Sequence, residues 1–192
     1  MNYLAHIYLS GTDPRLQIGN FIGDFVKGNR LEAYPTHIRN GIVLHRKIDS
    51  YTDSHPVVRE TIGLLRPTFG RYSGIIADMY FDYFLANNFS LYGRKSLNRF
   101  AFLFYFYTLI YYRHLPSKVK NFIFHFICTN RLSKYSKLDG LKGSLEIMAN
   151  YKVPAIKPEE TIAFLIANQV ELEKMFHLFF PDLIEYVKTE II

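Results

Sequence analysis

His45 and Asp49 stand four residues apart in Gly41-Ile-Val-Leu-His-Arg-Lys-Ile-Asp49, with Thr52-Asp53 following. On a helix that spacing puts both side chains on one face, so an imidazole nitrogen and a carboxylate oxygen can converge on one cation, and Asp53 can join if the helix continues. Taken alone, a His-x-x-x-Asp pair is more often a solvated helix-face contact. Two other segments shift that balance. In Gly19-Asn-Phe-Ile-Gly-Asp24-Phe-Val a carboxylate stands among large apolar residues and beside glycines that permit close backbone approach. In Asp78-Met-Tyr-Phe-Asp82-Tyr-Phe-Leu two acids stand four apart among aromatics expected to face a core. A carboxylate in such surroundings is costly unless it is paired, protonated or bound to metal.

His6 adds a fourth point, inside the short apolar helix predicted for Tyr3 to Leu9. His6, Asp24, His45, Asp49, Asp78 and Asp82 together supply imidazole and carboxylate from four helices, a mixture suited to Mn²⁺, Mg²⁺ or Fe²⁺ rather than to a thiolate zinc site. A divalent ion in such a set brings the pKa of water toward neutrality, which suits phosphoester hydrolysis. Arg46 and Lys47 adjoin His45 and can neutralise phosphate charge. Gly19, Gly23 and Gly28 match neither a dinucleotide fingerprint nor a P-loop, and there is no Gly-x-Ser-x-Gly elbow. His114, His125 and His177 fall in aromatic-rich segments and read as core-edge residues without a catalytic part.

The elements that must position these groups are helices. Apolar residues recur at three- and four-residue spacing with no sustained alternation, which predicts an all-α fold, a multi-helix bundle over 1–192 as one domain. Proline near a first turn marks helix starts at Asp13-Pro14, Tyr34-Pro35, His55-Pro56 and Leu115-Pro116. The pattern places helices at 2–10, 15–30, 36–51, 56–66, 71–88, 96–113, 117–132, 139–150 and 158–180. Pro181 is expected to break or kink the last of these, and the loop from Lys152 to Lys157 to be the mobile connection.

Composition narrows the setting. Apolar residues make up 49% of the chain and aromatics 17%, enough for one well-filled core and against wholesale disorder. The lone Cys128, in an apolar run, is expected to be a small buried thiol in a reducing compartment. The N-terminus lacks a basic secretory region, so a cytoplasmic location is expected. Phe100 to Tyr112, the most apolar stretch, is too short to span a bilayer and reads as a buried core helix, with a helix lying on a membrane surface as the weaker alternative. A formal charge of +6 draws in acidic partners, among which nucleic acid, anionic lipid and an acidic protein all qualify.

In order and spacing, Asn2-Tyr-Leu-Ala-His6, Gly19 to Gly28, Gly41 to Asp49, Thr52-Asp53 and Asp78 to Leu85 resemble the acyl carrier protein phosphodiesterase family. The likeness is dense over the first half and fainter through Leu138 to Met148 and Phe176 to Leu183. That family is similar to the HD phosphohydrolases, helical metal enzymes. The resemblance implies hydrolysis of the phosphodiester joining 4′-phosphopantetheine to a carrier serine, with Mn²⁺ the preferred metal. It implies a centre of His6, Asp24, His45, Asp49 and Asp78, the catalytic roles falling to Asp24, His45, Arg46 and Asp49, with Asp82 close by on the substrate side. The chain departs at Tyr83, where a Trp-Asp-His-Phe-type segment is expected of the family and Phe81-Asp-Tyr-Phe84 stands here. If that histidine serves metal or proton transfer, the departure bears on activity.

An acidic carrier gives the positive charge a purpose, with Lys27, Arg30, Arg39, Arg46 and Lys47 expected to ring the mouth of the site. Two other functions fit the same residues. One is metal-dependent hydrolysis of a nucleotide or other small phosphoester. The other is a non-catalytic helical module that binds an acidic protein or nucleic acid, its carboxylates forming structural pairs. The aromatics stand at core-facing spacing rather than interleaved with basic residues, which argues against nucleic acid.

Overall fold

The computed structural model describes residues 3–28, 30–93, 95–151 and 153–191, with nothing described of the Arg30 and Tyr151 side chains. Among the described residues there are helices and no strand. In chain order they are α1 (Tyr3–Leu9), α2 (Pro14–Phe21), α3 (Thr36–Ser54), α4 (Pro56–Phe69), α5 (Ser73–Asn87), α6 (Phe89–Tyr92), α7 (Leu97–Ile110), α8 (Ser117–Cys128), α9 (Arg131–Lys134), α10 (Leu138–Tyr151), α11 (Pro158–Ala167) and α12 (Gln169–Glu190). The prolines act as the sequence predicts: Pro14, Pro56 and Pro158 occupy the first turns of α2, α4 and α11, while Pro35 and Pro116 immediately precede α3 and α8. Asp13 also caps α2, accepting from the Arg15 amide at 2.9 Å.

Of the departures from the expected helix boundaries, two are the largest. The helix predicted for 15–30 stops at Phe21, and the chain continues as a 3₁₀ turn, Gly23–Phe25, then reaches Gly28 at φ +66°. Three glycines in ten residues weaken an α-helix by roughly 1 kcal/mol each, and Gly28 supplies a left-handed backbone that other residues rarely adopt. The helix predicted for 158–180 divides at Asn168, whose side chain donates back to the Phe164 carbonyl at 2.9 Å. Pro181 does not end α12, which runs through it to Glu190.

The core is one continuous set of buried apolar residues in which α5 is surrounded, every residue from Met79 to Ala86 being buried. Aromatic contacts bind it: Phe176 stacks on Phe180 at 5.0 Å and Phe81 on Phe179 at 5.5 Å. At the other end Phe21 meets Phe104 at 5.1 Å and Phe126 at 5.6 Å. Helices α2 and α3 touch backbone to backbone, because Gly19 faces Gly41; a Cβ on Gly19 would collide with the Ile38 carbonyl and lie 2.9 Å from the Gly41 Cα.

Three expectations about exposure are corrected. Helix α7 is not buried all round: Ala101, Phe104, Tyr105 and Thr108 face inward, while Phe102, Phe106, Leu109 and Ile110 face out. None of the described helices is long and apolar enough to cross a membrane. Cys128, at the end of α8, is exposed rather than buried. In the loop predicted to be mobile, Lys152 lies outside the described residues, but Val153 and Ile156 are buried and pin the rest to the core.

Candidate metal centre

The site begins with how α1 is held. Asp82 of α5 accepts from the Leu4 and Ala5 amides at 2.8 and 3.0 Å, satisfying two N–H groups that a helix start leaves orphaned. Burial pushes the Asp82 carboxyl up to about 7, and the two amides pull against that rise. This clamp fixes the direction in which α1 presents His6.

A hydrogen-bond relay then fixes the His6 tautomer. Ser10 Oγ lies 2.9 Å from the His6 carbonyl, which can only accept, so the hydroxyl donates. Asn20 Nδ2 donates to the same Ser10 Oγ at 2.9 Å, which turns Asn20 Oδ1 toward His6 Nδ1 at 2.8 Å. An amide oxygen accepts, so Nδ1 carries the proton and Nε2 presents a lone pair. Burial lowers the His6 pKa to about 4, keeping the ring neutral near pH 7.

That lone pair points at negative charge. His6 Nε2 is 3.2 Å from Asp49 Oδ1, and His45 Nε2 is 3.2 Å from both Asp49 Oδ2 and Asp24 Oδ1. The two rings stack at 4.0 Å, with their Nε2 atoms on the same side. Burial works against a charged His45, but the hydrogen bonds and charges of Asp24 and Asp49 outweigh it and hold the ring up to about 9. Burial likewise works against an ionised Asp49, and the two histidines more than offset it, so this carboxyl is held well below its ordinary range. The Asp24 carboxyl is lowered too, chiefly by the hydrogen bond with His45.

One ligand atom each from His6, His45 and Asp49 lies within 4.8 Å of the others. Two imidazoles and a carboxylate form a donor set for a divalent metal, and the relay behind His6 is the kind of outer support that orients a metal-binding histidine. An electron-rich nitrogen facing a carboxylate oxygen is the arrangement that a cation between them relieves. The residues present therefore fit a divalent metal. Gly23 makes the approach of Asp24 possible, because a Cβ there would run into the His45 ring.

A cavity of about 990 Å³ opens beside this cluster, with Asp24 and Asp78 on its wall. Its size is at the upper end of the roughly 300–1,000 Å³ typical of small-ligand pockets. Burial raises the Asp78 carboxyl, and the nearby charge of Asp49 acts in the same direction.

Comparison with known proteins gives this arrangement a relationship. The family model for acyl carrier protein phosphodiesterase matches residues 1–183. The chain belongs to that family. Proteins named acyl carrier protein phosphodiesterase from Enterobacter sp. (strain 638), Yersinia pestis and Salmonella agona (strain SL483) are 28%, 28% and 29% identical to it. The alignments cover 99%, 95% and 94% of both chains, respectively. No solved structure matches.

Of the residues that the family resemblance singled out, His6, His45 and Asp49 meet directly, Asp24 joins through His45, and Asp78 stands on the cavity wall. Others lie elsewhere. Asp82 is fully buried against the backbone of α1 and is withdrawn from the substrate-binding set. Arg46 donates through one terminal nitrogen to the carbonyls of Val26 and Gly28 at 3.1 and 3.0 Å, tying that loop to α3. Lys47 pairs with Glu190 of α12. Lys27 is exposed, Arg39 is partly buried on α3, and Arg30 lies in the 3₁₀ turn Arg30–Ala33. Tyr83 neighbours Phe84 and Glu173, about 140° around α5 from Asp78.

Asn20 and Ser10 were not identified by sequence reasoning as positioning residues. The available signal was an amide among apolar residues next to Gly19. Arg131 and Tyr135, which line the same cavity from α9 and just beyond it, gave no such signal, lying outside the motifs of the first half of the chain.

Proposed function

We propose that this chain hydrolyses the phosphodiester of holo-acyl carrier protein, releasing 4′-phosphopantetheine and the apo-carrier. The observation that carries the reading is the convergence of His6, His45 and Asp49 at the edge of a large cavity. Those three residues would hold a divalent metal, with Mn²⁺ preferred and Mg²⁺ or Fe²⁺ possible on the same donors. When bound, the metal would supply electrostatic stabilisation of the phosphoryl oxygens and acidify the attacking water. The HD-type relationship is proposed on the same His and Asp cluster held between helices.

The chain's own residues divide the remaining work. Asp24, ionised and exposed at the rim, orients the attacking water and accepts its proton at Oδ. The water oxygen forms the new bond to phosphorus and the bond from phosphorus to the serine oxygen breaks. Asp78, whose carboxyl burial raises, would return a proton to that serine oxygen. Asn20 keeps His6 in the tautomer that offers Nε2. Lys27, Arg30, Arg39 and Arg46 remain the proposed carrier-facing cations, Arg46 keeping its charge because its partners are neutral backbone carbonyls, while Lys47 leaves that set through its ion pair with Glu190. A cytoplasmic location is proposed with this substrate.

The test is incubation with holo-acyl carrier protein and Mn²⁺, followed by mass measurement of the carrier. Loss of the phosphopantetheine mass is expected, together with its abolition by chelation and by His45→Ala or Asp49→Ala. A carrier whose mass stays constant, alongside turnover of small phosphoesters by the same preparation, would transfer the reading to those substrates.

A further inference from the structure

The outward face of α7 has no part in the proposed hydrolysis. Ala101, Phe104, Tyr105 and Thr108 turn inward, and Phe104 packs on Phe21 at 5.1 Å, so the helix is fixed to the core. Its other side carries Phe102, Phe106, Leu109 and Ile110, which are 48% to 67% exposed. At about 100° per residue these four fall within about 100° of one another and form a single apolar stripe. The stripe continues onto α8, where Phe124, itself 54% exposed, meets the Tyr112 ring at 5.6 Å. Single exposed apolar side chains are ordinary, but a run of them across two helices marks a surface that something covers.

Charge around this face selects the partner. Arg99 is exposed one turn before Phe102 on the same side of α7, and Arg113 is exposed just past the end of the helix. Lys120 of α8 holds its ammonium 5.2 Å over the Tyr112 ring. From Tyr83 to Leu138 the chain has nine Lys and Arg and no Asp or Glu, so these helices supply no carboxylate to neutralise the three cations. A second copy docked here through a two-fold axis would set Arg99, Arg113 and Lys120 of each copy against the same cations of the other. An anionic lipid surface has no such conflict. We infer that this face of α7 and α8 seats the protein reversibly on an anionic membrane surface. The apolar stripe enters the boundary between headgroups and acyl chains, and the cations stay level with the lipid phosphates. None of the described helices is long and apolar enough to cross a membrane, and the inward side of α7 stays in the core, so the contact is peripheral. It asks nothing of the His and Asp cluster and stands apart from the phosphodiesterase reading.

The test is co-sedimentation of the intact protein with vesicles of phosphatidylcholine alone and of phosphatidylcholine mixed with phosphatidylglycerol, with circular dichroism as the control for folding. Wild type is expected to follow the mixed vesicles at low salt and to stay in solution with phosphatidylcholine alone. Its binding is expected to weaken as salt shortens the Debye length, to about 3 Å at 1 M. Phe102→Ser/Phe106→Ser removes side chains from the exposed stripe, so the fold is expected to hold while partition falls by about tenfold or more. Arg99→Gln/Arg113→Gln is expected to lower partition by about 10–30-fold. Wild-type partition by the Phe102→Ser/Phe106→Ser variant overturns the inference, because cations alone would then hold the protein to the lipid. Equal binding to the two kinds of vesicle overturns it as well. Wild type that stays in solution with both also overturns it: dimers dissociated by Phe102→Ser/Phe106→Ser would then give the face to a second copy, and a raised KM for holo-carrier in that variant would give it to the carrier.

Discussion

At the scale of single residues, function depends on protons held in particular places. Asn20 acts on any metal only through His6, by keeping the proton on Nδ1. Asn20→Ala is expected to lower Mn²⁺ affinity by about 10–100-fold while the helices stay folded, as measured by calorimetry with circular dichroism as the control. Unchanged affinity would mean that the ring is oriented by its packing alone. The two histidines also pull stability in opposite directions. His45 is raised from 6.5 to about 9, so its contribution is complete below pH 6.5 and is lost as pH rises through about 9. His6 is lowered from 6.5 to about 4, so keeping it neutral costs stability as pH falls from 6.5 toward 4. The metal-free protein is therefore expected to gain most from this pair near pH 6.5. A melting temperature that climbs steadily between pH 6.5 and 9 would contradict the assignment for His45. Because a metal must displace the His45 proton, metal binding at neutral pH is expected to release protons, which calorimetry in two buffers of different ionisation enthalpy detects.

At the scale of elements, the site is a matter of how α1, α2, α3 and α5 are brought together. Asp82 reads in sequence as a possible site acid, and its work in the structure is to clamp the start of α1. Asp82→Ala leaves the Leu4 and Ala5 amides unsatisfied in the core and is expected to cost about 1–3 kcal/mol in denaturant unfolding. If Asp82 instead contacted substrate, the variant would lose activity with stability unchanged. Gly41 is the corresponding support for α2 and α3. A Cβ there would collide with the Leu16 carbonyl, so Gly41→Ala is expected to destabilise by about 1–3 kcal/mol through separation of the two helices. The same change would displace His45 relative to His6, so activity is expected to fall before the fold is lost.

At the scale of the whole molecule, charge is unevenly placed. The stretch from Tyr83 to Leu138 holds nine Lys and Arg with no Asp or Glu, whereas the remainder has 14 basic and 17 acidic residues. The +6 charge therefore originates in the part of the chain that forms α6 to α9 and supplies Lys118 and Arg131 to the cavity. An acidic carrier approaching such a surface is steered over distances comparable to the Debye length, about 10 Å at 0.1 M salt. The KM for holo-carrier is expected to rise with ionic strength, and charge reversal at Arg30 and Arg39 to raise it at low salt. A KM independent of salt would remove electrostatic steering, and an unaffected Arg30→Glu/Arg39→Glu variant would move docking away from that face toward α8.

While the wider centre of His6, Asp24, His45, Asp49 and Asp78 came from the family resemblance, the amino-acid sequence by itself determined that the chain is helical, where most helices begin, and that His45 and Asp49 share one helix face. Those features are local: proline and apolar spacing act within a turn or two, and an i, i+4 pair shares a face whatever surrounds it. Only the tertiary structure decided what each polar group faces. Asp78 and Asp82 share a helix and a spacing, yet one lines a cavity and the other holds an N-terminus. Arg46 and Lys47 adjoin His45, yet Arg46 donates to the backbone carbonyls of Val26 and Gly28 and Lys47 pairs with Glu190 at the far end of the chain. The outward face of α7 and the exposure of Cys128 were likewise decided by which neighbours arrived. Periodicity records that a face is apolar, and long-range packing determines whether anything covers it.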